Sequence, residues 1–173
     1  ILDKVTANIY NKLCDDRGGS MIIDLKHIFV NENSSLPLKY SLDLSDVSHG
    51  GVFPLKKPVT LNGLVSNTSS LIRLEAEISF QFDALCDRCG KPTSKVYKVP
   101  VSKSLAASIE SEDSDTILLV PDMKLDVDDF IYTEVVVNLP LKHLCSENCK
   151  GICPKCGKNL NEGMCDCEND EID

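Results

Sequence analysis

The arrangement of the cysteines constrains this chain more than any other feature of its sequence. Nine cysteines occur in 173 residues, and two pairs of them form C-x2-C-G turns, at residues 86–90 and 153–157. In such a turn two thiolates and the adjoining backbone N–H groups converge on one metal ion, and the glycine accepts the positive φ that the turn requires. Each turn therefore predicts half of a four-thiolate metal site.

The remaining cysteines supply the other half of each site. The second turn is followed closely by Cys165 and Cys167, which complete a compact C-x2-C-x8-C-x-C unit. The first turn needs two ligands from farther along the chain. Cys145 and Cys149 are the pair that is left, with His143 as an alternative to Cys145. The sequence therefore predicts two metal sites, with these ligands: Cys86, Cys89, Cys145 and Cys149 in the first, and Cys153, Cys156, Cys165 and Cys167 in the second.

The ligand type indicates which metal these sites hold. Four soft thiolates in tetrahedral reach favour zinc, and iron is the rival metal that the spacing does not exclude. A site with four protein ligands has no open position for water, so we expect two structural zinc ions per chain. A disulfide framework would require an exported chain, and a thioredoxin-like redox pair would require a βαβ context that neither turn has. Cys14 is left without an assigned role.

The N-terminal residues lack the basic-then-apolar layout of a secretory signal. The longest apolar runs are also far shorter than the about 20 residues that cross a bilayer. We therefore expect an intracellular, cytoplasmic protein. Met21 opens a strand-like pattern directly after a short Arg-Gly-Gly-Ser stretch, so we interpret residues 1–20 as a non-native or upstream-translated extension.

The middle of the chain has the alternation that is typical of β-strands. Residues 36–44 alternate apolar and polar side chains, and residues 71–84 do so over a longer stretch. This is the period of a half-buried strand. Weaker strand patterns, separated by turn residues, cover residues 21–30, 59–65, 95–104 and 116–120. These segments predict an α+β protein made mainly of antiparallel sheet, or a partly open barrel, with one helix.

That helix is predicted over about residues 127–139. Asp126 can cap its first turn, and the acidic residues that follow suit its positive end. Its apolar face is expected to consist of Ile131, Val135, Val136 and Leu139. The triple valine would also accept a strand. From residue 142 on, cysteine and glycine replace core residues, so we predict a β body over residues 21–141 and a cysteine-rich zinc module with an acidic tail over residues 142–173.

Charge is unevenly distributed along the chain. The formal net charge of −9 argues against a protein whose whole surface wraps nucleic acid. Acidic residues are concentrated between residues 110 and 129, partly in a predicted loop at 104–115, and again after residue 162. One stretch around the first C-x2-C turn is basic instead: Arg88, Lys91, Lys95, Lys98 and Lys103. We expect several of these residues on one hairpin, as a candidate contact surface for RNA or a protein partner; a solvated face is the simpler interpretation.

No motif in the chain predicts catalysis. The acidic residues at 126–129 are explained by the start of a helix, and no Ser-His-Asp or Cys-His pattern is present. Residues 151–158 have neither the spacing nor the Ser or Thr of a phosphate-binding loop. We therefore predict that the protein is not an enzyme and has no small-molecule substrate.

Three stretches of sequence resemble the bacterial YceD-like family of large ribosomal RNA subunit accumulation proteins, which has relatives in plant plastids. They are LCDRCGKP at residues 85–92, VNLPL at 137–141 and CKGICPKCGKNLN at 149–161. The resemblance extends from about Met21 to Asp166. With Cys165 and Cys167, the last stretch resembles the long-tailed form of Gram-positive members. Family members without this tail cluster keep a Cys or His pair near Cys145 and Cys149, which implies the same ligand pairing.

The resemblance implies a function that the residues alone do not indicate. It implies a non-enzymatic zinc-binding factor in processing or accumulation of large-subunit ribosomal RNA and in ribosome biogenesis. The implied partner is that RNA or a ribosome-assembly protein. A second function class stays open, namely a zinc-ribbon adaptor that regulates transcription or another enzyme complex, with the acidic tail as its docking element.

Overall fold

The computed structural model of the protein describes residues 20–108 and 117–167. Its elements follow in the order β1 (Ile22–Asp24), α1 (Lys26–Val30), β2 (Ser35–Leu42), β3 (Val59–Thr68), β4 (Leu71–Leu85), β5 (Pro92–Ala106), β6 (Ile117–Leu119), a 3-10 turn (Pro121–Met123), β7 (Lys124–Asp126) and α2 (Val127–Val137). Several predictions lie outside the described residues: nearly all of the N-terminal extension with Cys14, the acidic loop at residues 109–116, and the end of the acidic tail at residues 168–173.

The long strands form one open five-stranded sheet in the order β2-β3-β4-β5-β6. All neighbouring pairs are antiparallel except β5 and β6, which are parallel. The sheet is curled into a half-barrel, while β1 and β7 form a separate antiparallel pair. The predicted fold class is therefore confirmed: mainly antiparallel sheet, one main helix and a C-terminal cysteine cluster.

Alternation along β4 builds the core of the protein. Leu74, Ile78 and Phe82 are buried, whereas the intervening Glu75 and Glu77 are exposed. Apolar residues of β2, β3, β5 and α2 pack into the same cluster. Each fully buried large apolar side chain contributes roughly 1.5–3 kcal/mol. The core thereby fixes the β4–β5 hairpin, whose turn carries the first C-x2-C motif.

Helix α2 begins where the sequence predicts. The side chain of Asp126 caps it by accepting a hydrogen bond from the backbone N–H of Asp129 at 3.0 Å. Its buried face has helical spacing and consists of Val127, Phe130, Ile131 and Val135. The prediction that Val136 belongs to this face is wrong, because Val136 lies about 100° or more around the helix from each of these four residues and is 41% exposed. The helix also ends two residues earlier than predicted, at Val137, and Leu139 is buried beyond it.

The strand predicted over residues 21–30 is only partly correct, because α1 follows the short strand β1. Leu25 and Ile28 are both buried three positions apart, which is the spacing of a helical turn rather than of a strand. The side chain of Asp24 accepts a hydrogen bond from the backbone N–H of Lys26 at 2.8 Å. This bond turns the chain out of the strand direction.

Strands β4 and β5 position the first cysteine pair. Each has 15 residues, and their register extends from Arg73 opposite Ser104 to Leu85 opposite Pro92. The turn at residues 86–91 therefore lies at the end of a long, rigid hairpin.

Neither helix in the described ranges is long and apolar enough to span a membrane.

Candidate metal centres

The first C-x2-C turn is a compact, hydrogen-bonded loop. The backbone N–H of Cys86 donates to the carbonyl of Lys91 at 2.9 Å, and that of Gly90 donates to the carbonyl of Cys86 at 2.8 Å. Gly90 has a φ of 68°, the left-handed conformation that the sequence predicts for it. The turn thereby brings the side chains of Cys86 and Cys89 to the same side of the hairpin end.

The second turn repeats this hydrogen-bond pattern. The backbone N–H of Cys153 donates to the carbonyl of Lys158 at 2.8 Å, and that of Gly157 donates to the carbonyl of Cys153 at 2.9 Å. The φ of Gly157 is 73°. Two unrelated positions in the chain thus form the same local structure, because the C-x2-C-G sequence determines it.

Four sulfur atoms converge at the first turn: those of Cys86, Cys89, Cys145 and Cys149. All lie within 4.8 Å of one another, and the Cys86–Cys149 and Cys89–Cys145 sulfur distances are both 3.7 Å. A tetrahedral zinc site with bonds of about 2.3 Å separates its sulfurs by about 3.8 Å. A disulfide would need about 2.05 Å. The donor set therefore fits a tetrahedral metal ion.

A second set of four sulfurs converges at the other turn: those of Cys153, Cys156, Cys165 and Cys167. These atoms also lie within 4.8 Å of one another. Cys156 is exposed, whereas Cys86 and Cys149 of the first set are buried. We call the two sets the first cluster and the second cluster. They are the same two sets of four that the sequence spacing groups together.

The first cluster combines thiols whose pKa values are shifted in opposite directions. Burial raises the pKa of Cys86, but backbone hydrogen bonds from Cys145, Cys89 and Arg88 outweigh it and lower the pKa to about 6. The backbone hydrogen bond from Lys91 lowers the pKa of Cys89, but burial and its hydrogen bonds with the other thiols raise the pKa to about 12. One thiolate therefore forms readily, and its charge then holds protons on its neighbour.

The second cluster has the same division. Backbone hydrogen bonds from Cys156 and Lys155 lower the pKa of Cys153 to about 6. The hydrogen bond with Cys156 and then burial raise the pKa of Cys167 to about 12. A divalent cation among the four sulfurs removes this conflict, because it favours the thiolate form of every ligand.

The first cluster joins the hairpin end to the C-terminal segment. Asp87 exchanges two hydrogen bonds with His143: its backbone N–H donates to the carbonyl at 2.9 Å, and its carboxylate accepts from the backbone N–H at 2.6 Å. The guanidinium of Arg88 donates to the carbonyl of Cys149 at 3.0 Å. Gly151 packs against Arg88 so closely that a Cβ there would lie 3.2 Å from its carbonyl oxygen. Both residues between the two thiols of the turn thus hold the C-terminal segment.

His143, the alternative ligand, is not part of either group of converging ligand atoms among the described residues. Its ring is buried against Phe82, with the ring centroids 5.0 Å apart, and its Nδ1 lies 3.5 Å from the hydroxyl of Tyr97. Its side chain therefore packs against the core, while its backbone is bonded to Asp87 in the turn of the first cluster.

Asn161 is a residue at the first cluster to which sequence reasoning assigned no role. Its side-chain amide donates to the sulfur of Cys149 at 3.3 Å. Burial raises the pKa of Cys149, but this bond and the backbone hydrogen bond from Gly151 contribute to a net lowering of the pKa. The only sequence signal is that Asn161 closes the third stretch of the family resemblance.

The five basic candidates lie on the β4–β5 hairpin but not on one face. Lys91 and Lys98 are exposed, and Lys98 forms an ion pair with Glu77 at 2.9 Å. Lys95 lies opposite Phe82 in the register and is half-buried, so it belongs to the concave, core-facing side of the sheet.

The other two basic candidates make contacts that support the fold. Lys103 forms an ion pair with Glu134 of helix α2 at 3.3 Å. Arg88 binds the carbonyl of Cys149, as described above.

Curated proteins similar to this chain come from plants and bacteria. A chloroplastic protein of Arabidopsis thaliana, named large ribosomal RNA subunit accumulation protein YCED homolog 1, is 25% identical over 170 residues, which cover 81% of this chain and 51% of that protein. Uncharacterized proteins of Mycobacterium bovis and Mycobacterium tuberculosis are 24% identical over 128 residues, or 72% of this chain and 59% of theirs. The chain thus spans little more than half the length of these relatives. No solved structure is significantly similar to it.

A family model matches residues 74–173, which is more than half of the chain. The matched region begins within β4 and contains both C-x2-C turns and all eight cysteines of the two clusters. The chain therefore belongs to the family described as large ribosomal RNA subunit accumulation protein YceD.

Proposed function

We propose that this protein is a non-enzymatic, zinc-binding factor that acts in the processing or accumulation of large-subunit ribosomal RNA. The observation that carries the proposal is its membership of the YceD family, because the match covers all eight cysteines of the two clusters. The plant relative bears a name that refers to the same process. Two four-thiolate clusters in this matched region supply the zinc-binding part of the proposal.

Zinc fits the two clusters better than other common metals. Thiolates favour zinc, copper(I) or iron–sulfur clusters, and tetrahedral four-sulfur sites are typical of structural zinc. In the first cluster the sulfur separations of 3.7 Å match a single tetrahedral ion, and the four sulfurs of the second cluster lie within 4.8 Å of one another. Four protein ligands leave no open coordination position for water or substrate, which supports a structural rather than a catalytic metal. We therefore propose two structural zinc ions per chain and no enzymatic activity.

The proposed partner is large-subunit ribosomal RNA or a protein of the assembling subunit. A metal ion at the first cluster would fix the hairpin end, so that basic side chains around it are presented at a low conformational cost. Lys91 in the turn and Lys98 on the outer face of the sheet are the exposed members of the basic set. Ribosomal RNA attracts such side chains through its phosphates.

Association with precursor large subunits tests the proposed function. Lysate from cells that express a tagged chain is fractionated on a sucrose gradient, and the tag and precursor ribosomal RNA are followed in every fraction. The proposal predicts that the protein co-sediments with precursor large subunits. Two results together would favour the zinc-ribbon adaptor instead. The protein would sediment at the position of the free protein, and cells that lack the protein would contain normal amounts of mature large-subunit RNA.

Direct RNA contact is tested by removing charge from the hairpin. Replacing Lys91 and Lys98, the two exposed lysines, by glutamine is expected to weaken binding to ribosomal RNA and to reduce the salt slope by about one unit for each phosphate that a lysine no longer neutralises. Lys95 is left in place because it faces the core side of the sheet. Arg88 and Lys103 stay unchanged because they hold Cys149 and Glu134. Affinity is measured by filter binding at several salt concentrations.

The matched control removes the same charge elsewhere. Lys56 and Lys57 are exposed lysines outside the hairpin, and their replacement by glutamine is expected to change affinity and salt slope much less. Equal effects in the two double variants would show that only net charge matters. An unchanged affinity in the hairpin variant would mean that the protein reaches the ribosome through a protein partner.

A further inference from the structure

The side chain of Asn161 clamps two consecutive residues at the first cluster. Its amide nitrogen donates to the sulfur of Cys149 at 3.3 Å, and its amide oxygen accepts from the backbone N–H of Lys150 at 2.8 Å. A hydrogen bond to a thiolate stabilises its negative charge, as partners of metal ligands commonly do. Asn161 is therefore a positioning residue for the first cluster, although it lies in the loop of the second.

That loop belongs to the second cluster, because it connects Cys156 to Cys165. Asn159 orders it locally: its side-chain oxygen accepts from the backbone N–H of Asn161 at 3.0 Å and from its amide nitrogen at 2.8 Å.

The same loop is also attached to the segment between the clusters. The backbone N–H of Leu160 donates to the carbonyl of Gly151 at 2.9 Å, and Ile152 pairs with Asn159 in an isolated β-bridge. The position of Asn161 thus depends on the conformation of the loop as a whole.

A metal ion at the second cluster would close this loop of eight residues between its ligands. Closure lowers the conformational entropy of the free loop, so the entropy cost of ordering the loop when Asn161 binds Cys149 is smaller. The amide is then held at the first cluster in advance. Because coupling between two binding sites is reciprocal, a metal ion at the first cluster must favour binding at the second by the same factor.

We propose that Asn161 couples the two cysteine clusters, so that metal binding at the second cluster increases the metal affinity of the first. The inference rests on the proposed binding of metal at both clusters. Asn161 carries the coupling between the two clusters through its hydrogen bond to the sulfur of Cys149.

The test measures metal affinity at each cluster separately. Protein loaded with ¹¹³Cd²⁺ is expected to give one NMR resonance per cluster, and competition with a chelator then gives one affinity per resonance. The double variant Cys156→Ser/Cys165→Ser abolishes the second cluster and assigns the remaining resonance. Asn161→Ala is measured alone and combined with this double variant.

Asn161→Ala is expected to weaken metal binding at the first cluster about tenfold, at the low end of the range for partners of metal ligands because Asn161 is exposed. Because the coupling is reciprocal, the metal affinity of the second cluster should fall by the same factor in Asn161→Ala, but only while the first cluster holds a metal ion. When Asn161 is present, the Cys156→Ser/Cys165→Ser double variant should lower the metal affinity of the first cluster by a similar factor. When Asn161 is already replaced by alanine, the same double variant should have almost no effect on that affinity. Such non-additivity is the signature of residues that act as one unit.

Two further variants separate the hydrogen bond from general changes in the loop. Asn161→Asp keeps an acceptor for Lys150 but has no donor for the thiolate, so it should lose at least as much affinity as Asn161→Ala. Lys158→Met is the matched control: it removes a bond within the same loop, from Lys158 to the carbonyl of Met164, and should leave the first cluster unchanged.

Additive losses, or an unchanged first cluster in Asn161→Ala, would overturn the coupling. If the wild-type chain binds two metal ions but they prove independent, only this inference fails. If neither cluster of the wild-type chain binds Cd²⁺ or Zn²⁺, the proposed zinc function fails together with it.

Discussion

Replacing Cys89 by serine is expected to lower the melting temperature of the β body by on the order of 10 °C. Serine is a poor zinc ligand, so the variant loses the metal that joins the β4–β5 hairpin to the C-terminal segment. Cys86 and Cys149 would remain buried beside it as uncompensated thiols. The buried packing of His143 against Phe82 depends on the same attachment. Thermal unfolding followed by far-UV circular dichroism measures the effect.

Cys156→Ser is the matched variant in the second cluster. It makes the same chemical change at an exposed position in a locally closed unit. We expect a decrease of less than about 4 °C in the melting temperature of the body, because only the coupling to the first cluster is affected. Hydrogen exchange should increase at residues 153–167 and not in β4 or β5. Equal destabilisation of the body in both variants would contradict a division of the chain into a body stabilised by the first cluster and a local second unit.

Metal binding is expected to strengthen as pH rises, and each cluster should release protons when it binds zinc. The metal requires thiolates, whereas the pKa values of Cys89 and Cys167 are about 12 in the metal-free protein, so both are protonated at neutral pH. Binding must displace these protons, and a lower proton concentration therefore favours it. Below about pH 6 the thiolates of Cys86 and Cys153 also become protonated, and the affinity should fall more steeply.

Chelator competition between pH 5.5 and pH 8, together with proton release in weak buffer, measures this dependence. We expect at least one proton per zinc ion at pH 7, and loss of metal on acidification. Loss of metal from both clusters should lower the melting temperature of the body at least as much as Cys89→Ser does. An affinity that does not change over this pH range would show that the thiols of the metal-free protein are already ionised, contrary to the hydrogen-bond arrangement of the clusters.

Local patterns predicted most of the fold. The alternation along β2 and β4 reflects a sheet with one buried face, and this period survives in sequence because each strand must bury every second side chain. The start of α2 was equally visible in Asp126, whose cap is a local interaction. The C-x2-C-G turns are local as well, and the counting of cysteines was enough to group the distant ligands.

The missed features depend on contacts between distant residues. A helical turn forms at α1 in place of a strand because Leu25 and Ile28 both reach the core, which the local pattern over residues 21–30 does not specify. Basic residues that are close in sequence, such as Lys95 and Lys98, point to different sides of β5 because they are an odd number of positions apart. The role of Asn161 requires its loop to fold back over Cys149, and no periodicity indicates that.

If this chain carries two tetrahedral metal sites made of eight thiolates, the mass of the native protein must include two metal ions. Protein purified without chelator is measured by native mass spectrometry and again after denaturation in acid. We predict a difference equal to two zinc ions per chain, with all eight cysteines reduced, and one zinc ion fewer in Cys156→Ser. A native protein that has the mass of the metal-free chain, or that contains disulfides between these cysteines, would rule out the two metal sites.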